Sequence, residues 1–285
     1  MTVFESIPLE ASASVGIQAN EINMKPIYLG TNWKMHKTIR DSEDYAIRLK
    51  EASDTIPDRF TIFIIPPFLS LPRVSEILSG TRIKVGAQNM HWEPQGAYTG
   101  EISPLMLREI GIQIVEIGHS ERRQYSGETD YTVNKKVLSA LKHGLTPLVC
   151  VGEPAIEKDY GAAKQHVLRQ VMIALKDVSP EDLSKIMLAY EPVWSIGESG
   201  IPAEPAYAES IHTWIRECLA DRYGEEKALA VPILYGGSVN RENAGPFLLR
   251  KNIDGLFIGR AAWEVNGFLA IIRDMEKIVP RRPLR

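Results

Sequence analysis

Cysteine is scarce in this 285-residue chain: Cys150 and Cys218 are the two it contains, too few for a disulfide framework. Cys150 sits in the apolar run Leu148 to Val151 and Cys218 in a helical pattern, which predicts reduced, buried thiols. No H-E-x-x-H pair or cysteine pair occurs, and neither His36 nor His91 has metal-ligand spacing, so no metal is expected. The glycine-rich loops G-x-G-x-x-G and G-x-x-x-x-G-K-[ST] are both missing, which removes the usual dinucleotide and nucleotide signatures. No stretch approaches the ~20 apolar residues of a membrane span. The first 25 residues lack the basic start and apolar centre of a secretion signal. Charge of one sign is also lacking: the formal net charge is −3, and the Lys and Arg residues are scattered. That disfavours nucleic acid as a partner. These absences together predict a cytoplasmic protein with no membrane or nucleic-acid partner.

What is present is enough apolar material for a large core, at 44% hydrophobic and 24% charged residues. Eight short apolar runs punctuate the chain: Ile27 to Gly30, Thr61 to Ile65, Ile83 to Ala87, Ile112 to Ile117, Thr146 to Val151, Ile186 to Ala189, Val231 to Tyr235 and Gly255 to Ile258. They are continuous rather than alternating, as parallel strands covered on both faces are. Helical stripes lie between them. Tyr45, Leu49, Ala52 and Ile56 form one, and Ala208, Ile211, Ile215 and Cys218 another. Ser103-Pro104 reads as an N-cap followed by a first-turn proline, and Gly144 closes the stripe of Val133, Val137 and Leu141. Eight strand–helix units predict a single α/β domain, a closed (β/α)8 barrel over 26–285, because closure leaves no sheet edge exposed. Residues 1–25 read as a loosely ordered N-terminal extension.

In such a barrel chemistry collects where strands run out into helices. Thr31-Asn32-Trp33-Lys34-Met35 follows the first run, Gly118-His119-Ser120-Glu121-Arg122 the fourth and Tyr190-Glu191-Pro192-Val193-Trp194 the sixth. Each polar residue alone has an ordinary reading as a surface charge, a packed histidine or a strand terminator. Together they supply a carboxylate base, an electrophilic imidazole and a fixed positive charge.

The strings NWKM, AQN, GAYTGEIS, IGHSERR, AYEPVW, SIG and YGGSV, in this order and approximate spacing, resemble triosephosphate isomerase over about Lys25 to Met275. The resemblance implies the TIM barrel fold and a proton transfer between adjacent carbons of a small phosphorylated sugar, with no cofactor. It implies Glu191 as the base and His119 as the electrophile, neutral in the family because a helix N-terminus lowers its proton affinity. Lys34 is implied to offset phosphate and oxyanion charge, Asn32 to donate a hydrogen bond beside it, and Glu121 to order the site by pairing with a lysine. Trp194 to Ala203 matches the mobile lid, with Gly197 closing over the phosphate. Gly236, Gly237, Ser238 and Gly259 match the phosphate-gripping loops after the seventh and eighth strands. His91 to Thr99 resembles the loop through which the family forms homodimers, with Thr99 reaching toward the neighbouring site.

Departures from the family pattern fall near the substrate. The lid's second half reads Glu198-Ser199-Gly200-Ile201-Pro202-Ala203, with a proline at a hinge position. Arg260 replaces a glycine, and is expected either to offer its donor fork to the phosphate, the preferred reading, or to line the rim. Phe257 replaces a leucine and Thr31 a glycine, and both are expected to remodel the pocket. These changes resemble a branch of the family that handles four-carbon ketose phosphates. The expected conversion is L-erythrulose 1-phosphate to D-erythrulose 4-phosphate, with the triose phosphates as the alternative substrates. A phosphate-binding barrel without turnover, and aldol cleavage through a Schiff-base lysine, are the competing classes.

Overall fold

Each apolar run becomes a strand in the computed structural model, which describes residues 25–197 and 200–280. The strands are β1 (Ile27–Asn32), β2 (Phe60–Ile65), β3 (Lys84–Ala87), β4 (Ile114–Ile117), β5 (Thr146–Val151), β6 (Met187–Tyr190), β7 (Ile233–Tyr235) and β8 (Gly255–Ile258). Each pairs in parallel with its sequence neighbours. β8 closes on β1 with Tyr28 opposite Gly255, so the sheet is a closed eight-stranded barrel. Residues 1–24 of the expected extension, and Glu198 and Ser199 of the expected lid, lie outside the described residues.

Strand ends shift by one or two residues from the sequence reading for local reasons. Ile112 does not join β4, because its N–H closes the preceding helix onto the Leu107 carbonyl at 3.0 Å. β6 runs one residue further, to Tyr190, and so delivers Glu191 directly at the barrel rim.

Two cores hold the barrel. Outside it, strand residues such as Leu29, Ile64 and Val115 pack against the helices. Inside it, Phe63, Ile65, Ile114, Leu148, Met187 and Leu234 fill the interior. Full burial of such a side chain contributes roughly 1.5–3 kcal/mol. Gly30 is required here: a Cβ on it would lie 2.0 Å from the Phe63 ring. Phe63 in turn stacks on Phe257, with centroids 5.7 Å apart.

The helices carry the end signals read from sequence. Thr38 caps Ile39–Ala52 in a reciprocal capping box with Asp41, whose carboxyl is held below the usual range by the Thr38 hydrogen bonds. Ser103 Oγ accepts the Met106 N–H at 3.3 Å at the head of Pro104–Glu109. Gly144 follows Asp130–Lys142 at φ +70°. Of the two stripes, Tyr45, Leu49, Ala208, Ile211 and Ile215 are buried, while Ala52 and Cys218 are half-buried. No helix among the described residues is long and apolar enough to cross a membrane.

Candidate active site

A cavity of about 580 Å³ opens at the carboxyl ends of the strands. Its wall includes Asn32, Lys34, His119, Glu121, Glu191 and Arg260, together with the glycines of the lid and of the loops after β7 and β8.

Asn32 ends β1 facing inward. Its Nδ2 donates to Glu116 Oε2 at 2.7 Å and its Oδ1 accepts the backbone N–H of Lys34 at 2.6 Å. That second bond closes a short turn holding Lys34 at φ +53°, a left-handed conformation costing an ordinary side chain about 1–2 kcal/mol. Gln88 Nε2 secures the same turn from β3 by donating to the Lys34 carbonyl at 2.8 Å. The strained backbone aims the ammonium across the rim to Glu121 Oε1, 2.6 Å away. The Glu121 side chain is 44% exposed, so this pair orients Lys34 more than it stabilises the fold.

Gly118, at φ +81°, turns the chain out of β4. Its N–H donates to Glu128 Oε2 at 3.0 Å and its carbonyl accepts from Arg123 Nε at 2.6 Å. Glu128 is itself buried and paired with Lys136. His119, thus anchored, accepts the Glu121 N–H on Nδ1 at 3.2 Å. With Nδ1 as the acceptor of that bond, Nε2 is the ring nitrogen left to donate. Nε2 faces Glu191 Oε2 at 3.7 Å.

Glu191 is 3% exposed, and its Oε2 has no hydrogen-bond partner among the described residues. Burial pushes its carboxyl above the usual range, against the opposing pull of His119, Lys34 and the Cys150 thiol. Gly236 gives it space, since a Cβ there would meet Glu191 Cγ at 2.8 Å. The carboxylate is therefore buried, underbonded and adjacent to an N–H donor, a combination suited to taking a proton from a bound carbon acid.

The lid begins at a rigid root. Glu153, fully buried, accepts from Trp194 Nε1 at 2.9 Å, from the Tyr207 hydroxyl at 2.9 Å and from the Tyr190 hydroxyl at 3.1 Å. Lys158 Nζ lies 4.2 Å above the Trp194 ring. Ser195 Oγ accepts the Ser238 N–H at 3.1 Å, joining the segment after β6 to the loop after β7. Gly237 packs directly against the same cluster, for a Cβ there would lie 2.3 Å from the Tyr235 hydroxyl.

A sequence profile of triosephosphate isomerase matches residues 27–275. The chain belongs to the triosephosphate isomerase family. It is 48% identical over 246 residues to the L-erythrulose-1-phosphate isomerase of Rhizobium rhizogenes, covering 86% of this chain and 93% of that one. It is 48% identical over 251 residues to the protein of the same name from Mesorhizobium japonicum, covering 87% and 97%. The triosephosphate isomerase of Caldanaerobacter subterraneus is also 48% identical, over 250 residues, covering 87% and 98%. As a member of the triosephosphate isomerase family this chain is an isomerase.

Within this triosephosphate isomerase fold, one expectation changes. Thr31 does not remodel the pocket: it is fully buried, alternates with inward-facing Gly30 and Asn32, and is absent from the cavity wall. Arg260 sends Nη2 to the lid, donating to the Gly197 carbonyl at 2.7 Å. Two buried acids escaped the strand-end search. Glu153, immediately after the run ending at Val151 and Gly152, carried a strand-end signal. Glu116 carried a different one, a lone carboxylate inside the apolar run Ile112 to Ile117. It also completes the one group of possible metal ligands among the described residues: ligand atoms of Glu116, His119 and Glu191 lie within 4.8 Å of one another. An ion held there would engage the two side chains that face the cavity.

Proposed function

We propose that this isomerase interconverts L-erythrulose 1-phosphate and D-erythrulose 4-phosphate. Glu191 takes the proton from the carbon beside the carbonyl as the carbonyl oxygen gains the electron pair. The resulting enediol(ate) recovers a proton on the former carbonyl carbon while the hydroxyl proton of the adjacent carbon passes to the first oxygen, so no atom is gained or lost. His119 Nε2–H and an Asn32 amide N–H donate to the oxygens where charge develops, and the Lys34 ammonium offsets that charge and part of the phosphate's. Backbone N–H groups around Gly197, Gly237, Ser238 and Gly259 take the phosphate, with the lid closing to exclude water.

Overall identity does not choose between four and three carbons, since relatives of both names stand at 48%. The observation that carries the four-carbon reading is the bond from Arg260 to Gly197. It joins the arginine that departs from the family pattern to the residue just before the lid's own departure, so the two changes are neighbours at the cavity rim. Phe257 lines the cavity while stacking on Phe63, and is only 4% exposed. The test is to incubate the enzyme with L-erythrulose 1-phosphate in heavy water and follow the products by NMR. Appearance of D-erythrulose 4-phosphate carrying solvent deuterium is expected, and an unchanged substrate contradicts the proposal.

The proposal extends to a cytoplasmic homodimer. The loop from His91 stacks its histidine between Trp92 and Tyr98, at 4.2 and 4.0 Å, and leaves the tip from Gln95 to Thr99 exposed for a second copy. Both cysteines are free thiols, in keeping with a reducing compartment.

A further inference from the structure

Glu116 stands where the barrel interior meets the active site. Ile114, two residues earlier on β4, packs in the interior cluster, so strand alternation directs Glu116 inward one layer nearer the cavity. It is 1% exposed and does not line the cavity wall. Oε2 accepts from Asn32 Nδ2 at 2.7 Å, and Oε1 lies 3.7 Å from the Cys150 thiol, which donates to it. Asn32 is thereby held at both ends, by Glu116 through its amide nitrogen and by the Lys34 N–H through its oxygen. One amide hydrogen is engaged below and the other remains for the cavity.

The same carboxyl belongs to the 4.8 Å group with Glu191 and His119. Two buried carboxylates so close repel strongly, and a single proton relieves the pair. The groups facing Glu116 decide where it goes. From the end of β1 comes the Asn32 amide and from the turn after it the Lys34 ammonium, from β5 the neutral Cys150 thiol, from just past β6 Glu191, and from the segment after β4 His119 and Glu121. Glu191 has His119 Nε2 at 3.7 Å and the pull of Lys34. Glu116 has one amide donor and shares the single weak donor of Cys150 with Glu191, and burial followed by the Glu191 charge drives its carboxyl well above the usual range.

We propose that Glu116 is a positioning residue of this active site, a neutral carboxylic acid that fixes the Asn32 amide beneath the substrate and leaves Glu191 the ionised member of the pair. The proposal rests on Glu191 being the base. A neutral acid can be replaced by its amide, because glutamine offers the same acceptor to Asn32 without charge. Leucine fills the space and removes the acceptor.

The experiment compares wild type, E116Q, E116L and E191Q by steady-state kinetics across pH, with folding verified by thermal unfolding and isotope-edited infrared difference spectra of wild type against E116Q. E116L is expected to lose about tenfold or more in kcat, as removal of an oriented donor does. E116Q is expected to recover most of that loss, with its acid limb within about half a pH unit of wild type. The difference spectrum is expected to show the carbonyl stretch of a protonated acid. E116Q as impaired as E116L, an acid limb displaced to lower pH, or a carboxylate band would each overturn the proposal, because each requires an ionised Glu116. If E116L unfolds, the acid limb and infrared band of E116Q still decide. A divalent ion retained at one per wild-type chain and lost in E116Q would also overturn it, in favour of a metal site. Full activity in E191Q would instead overturn the base itself, whereas an inactive E191Q beside an E116L like wild type would overturn Glu116 alone.

Discussion

Arg260 Nη2 donates to the Gly197 carbonyl across 2.7 Å, tying the loop after β8 to the lid. Replacing Arg260 by glycine is expected to lower kcat/KM for the tetrulose phosphate by about tenfold, the value of a charge-assisted bond of ~1.5 kcal/mol or more. On the proposed role of the lid in shielding an enediolate, inorganic phosphate released per turnover should also rise. The two assays, isomerisation and phosphate release, are run on the same preparation. Unchanged values in both would mean the bond has no part in closure.

Glu153 anchors the lid root through Tyr190, Trp194 and Tyr207. Substituting leucine leaves those donors without their acceptor, at about 1–3 kcal/mol for each that stays buried and unmatched. The expected outcome is a fall in kcat/KM of at least about tenfold that exceeds any change among the folded population measured by circular dichroism, since the hinge loses its fixed pivot. Equal activity per folded molecule would remove Glu153 from the lid mechanism.

Glu191 must be ionised to accept a proton, and burial raises its carboxyl above the ordinary 4.5. Activity should therefore decline as pH falls through a value higher than 4.5, rather than through the ordinary carboxylate range. Shortening the side chain in Glu191→Asp is expected to lower kcat by at least about a hundredfold, because the base retreats from the carbon it serves. An acid limb at or below the ordinary value, or an aspartate variant of normal activity, would contradict this.

His212 is fully buried against Tyr190, bonded to the Asn252 carbonyl at 3.2 Å, and burial pushes its imidazole down from 6.5 to about 3. The unfolded chain takes up that proton below 6.5 while the folded chain does not until about 3. Stability is thus full above 6.5 and is lost as pH falls through the window to about 3, by at most ~1.4 kcal/mol per pH unit. The thermal midpoint of wild type should drop more steeply between pH 7 and about 4.5 than that of His212→Gln, which has no such proton to bind. Parallel slopes would exclude the histidine as a source.

The barrel is legible in the sequence because parallel strands buried on both faces leave continuous apolar runs, and all eight runs become strands. Strand ends are less legible: Ile112 is apolar like the strand residues that follow, and only its backbone bond to Leu107, five residues back, assigns it to the helix terminus. The rim residues Asn32, Lys34, His119 and Glu191 stand out by polarity at the ends of runs, and the structure brings them round one cavity. Glu116 and Glu153 are less legible as functional residues, since their importance lies in partners far along the chain, Asn32 for the one and Tyr207 for the other. The direction of Arg260 was equally hidden, because composition says nothing of which loop a guanidinium meets.

The substrate proposal is tested most directly by kcat/KM for L-erythrulose 1-phosphate and for dihydroxyacetone phosphate, measured on one preparation under identical conditions. A preference for the four-carbon substrate of about a hundredfold or more is expected, within what pocket shape and a lid contact supply. A value for the triose near ~10⁶ to 10⁸ M⁻¹s⁻¹, with the tetrulose phosphate poorer, would contradict the proposal and make the protein an efficient triosephosphate isomerase.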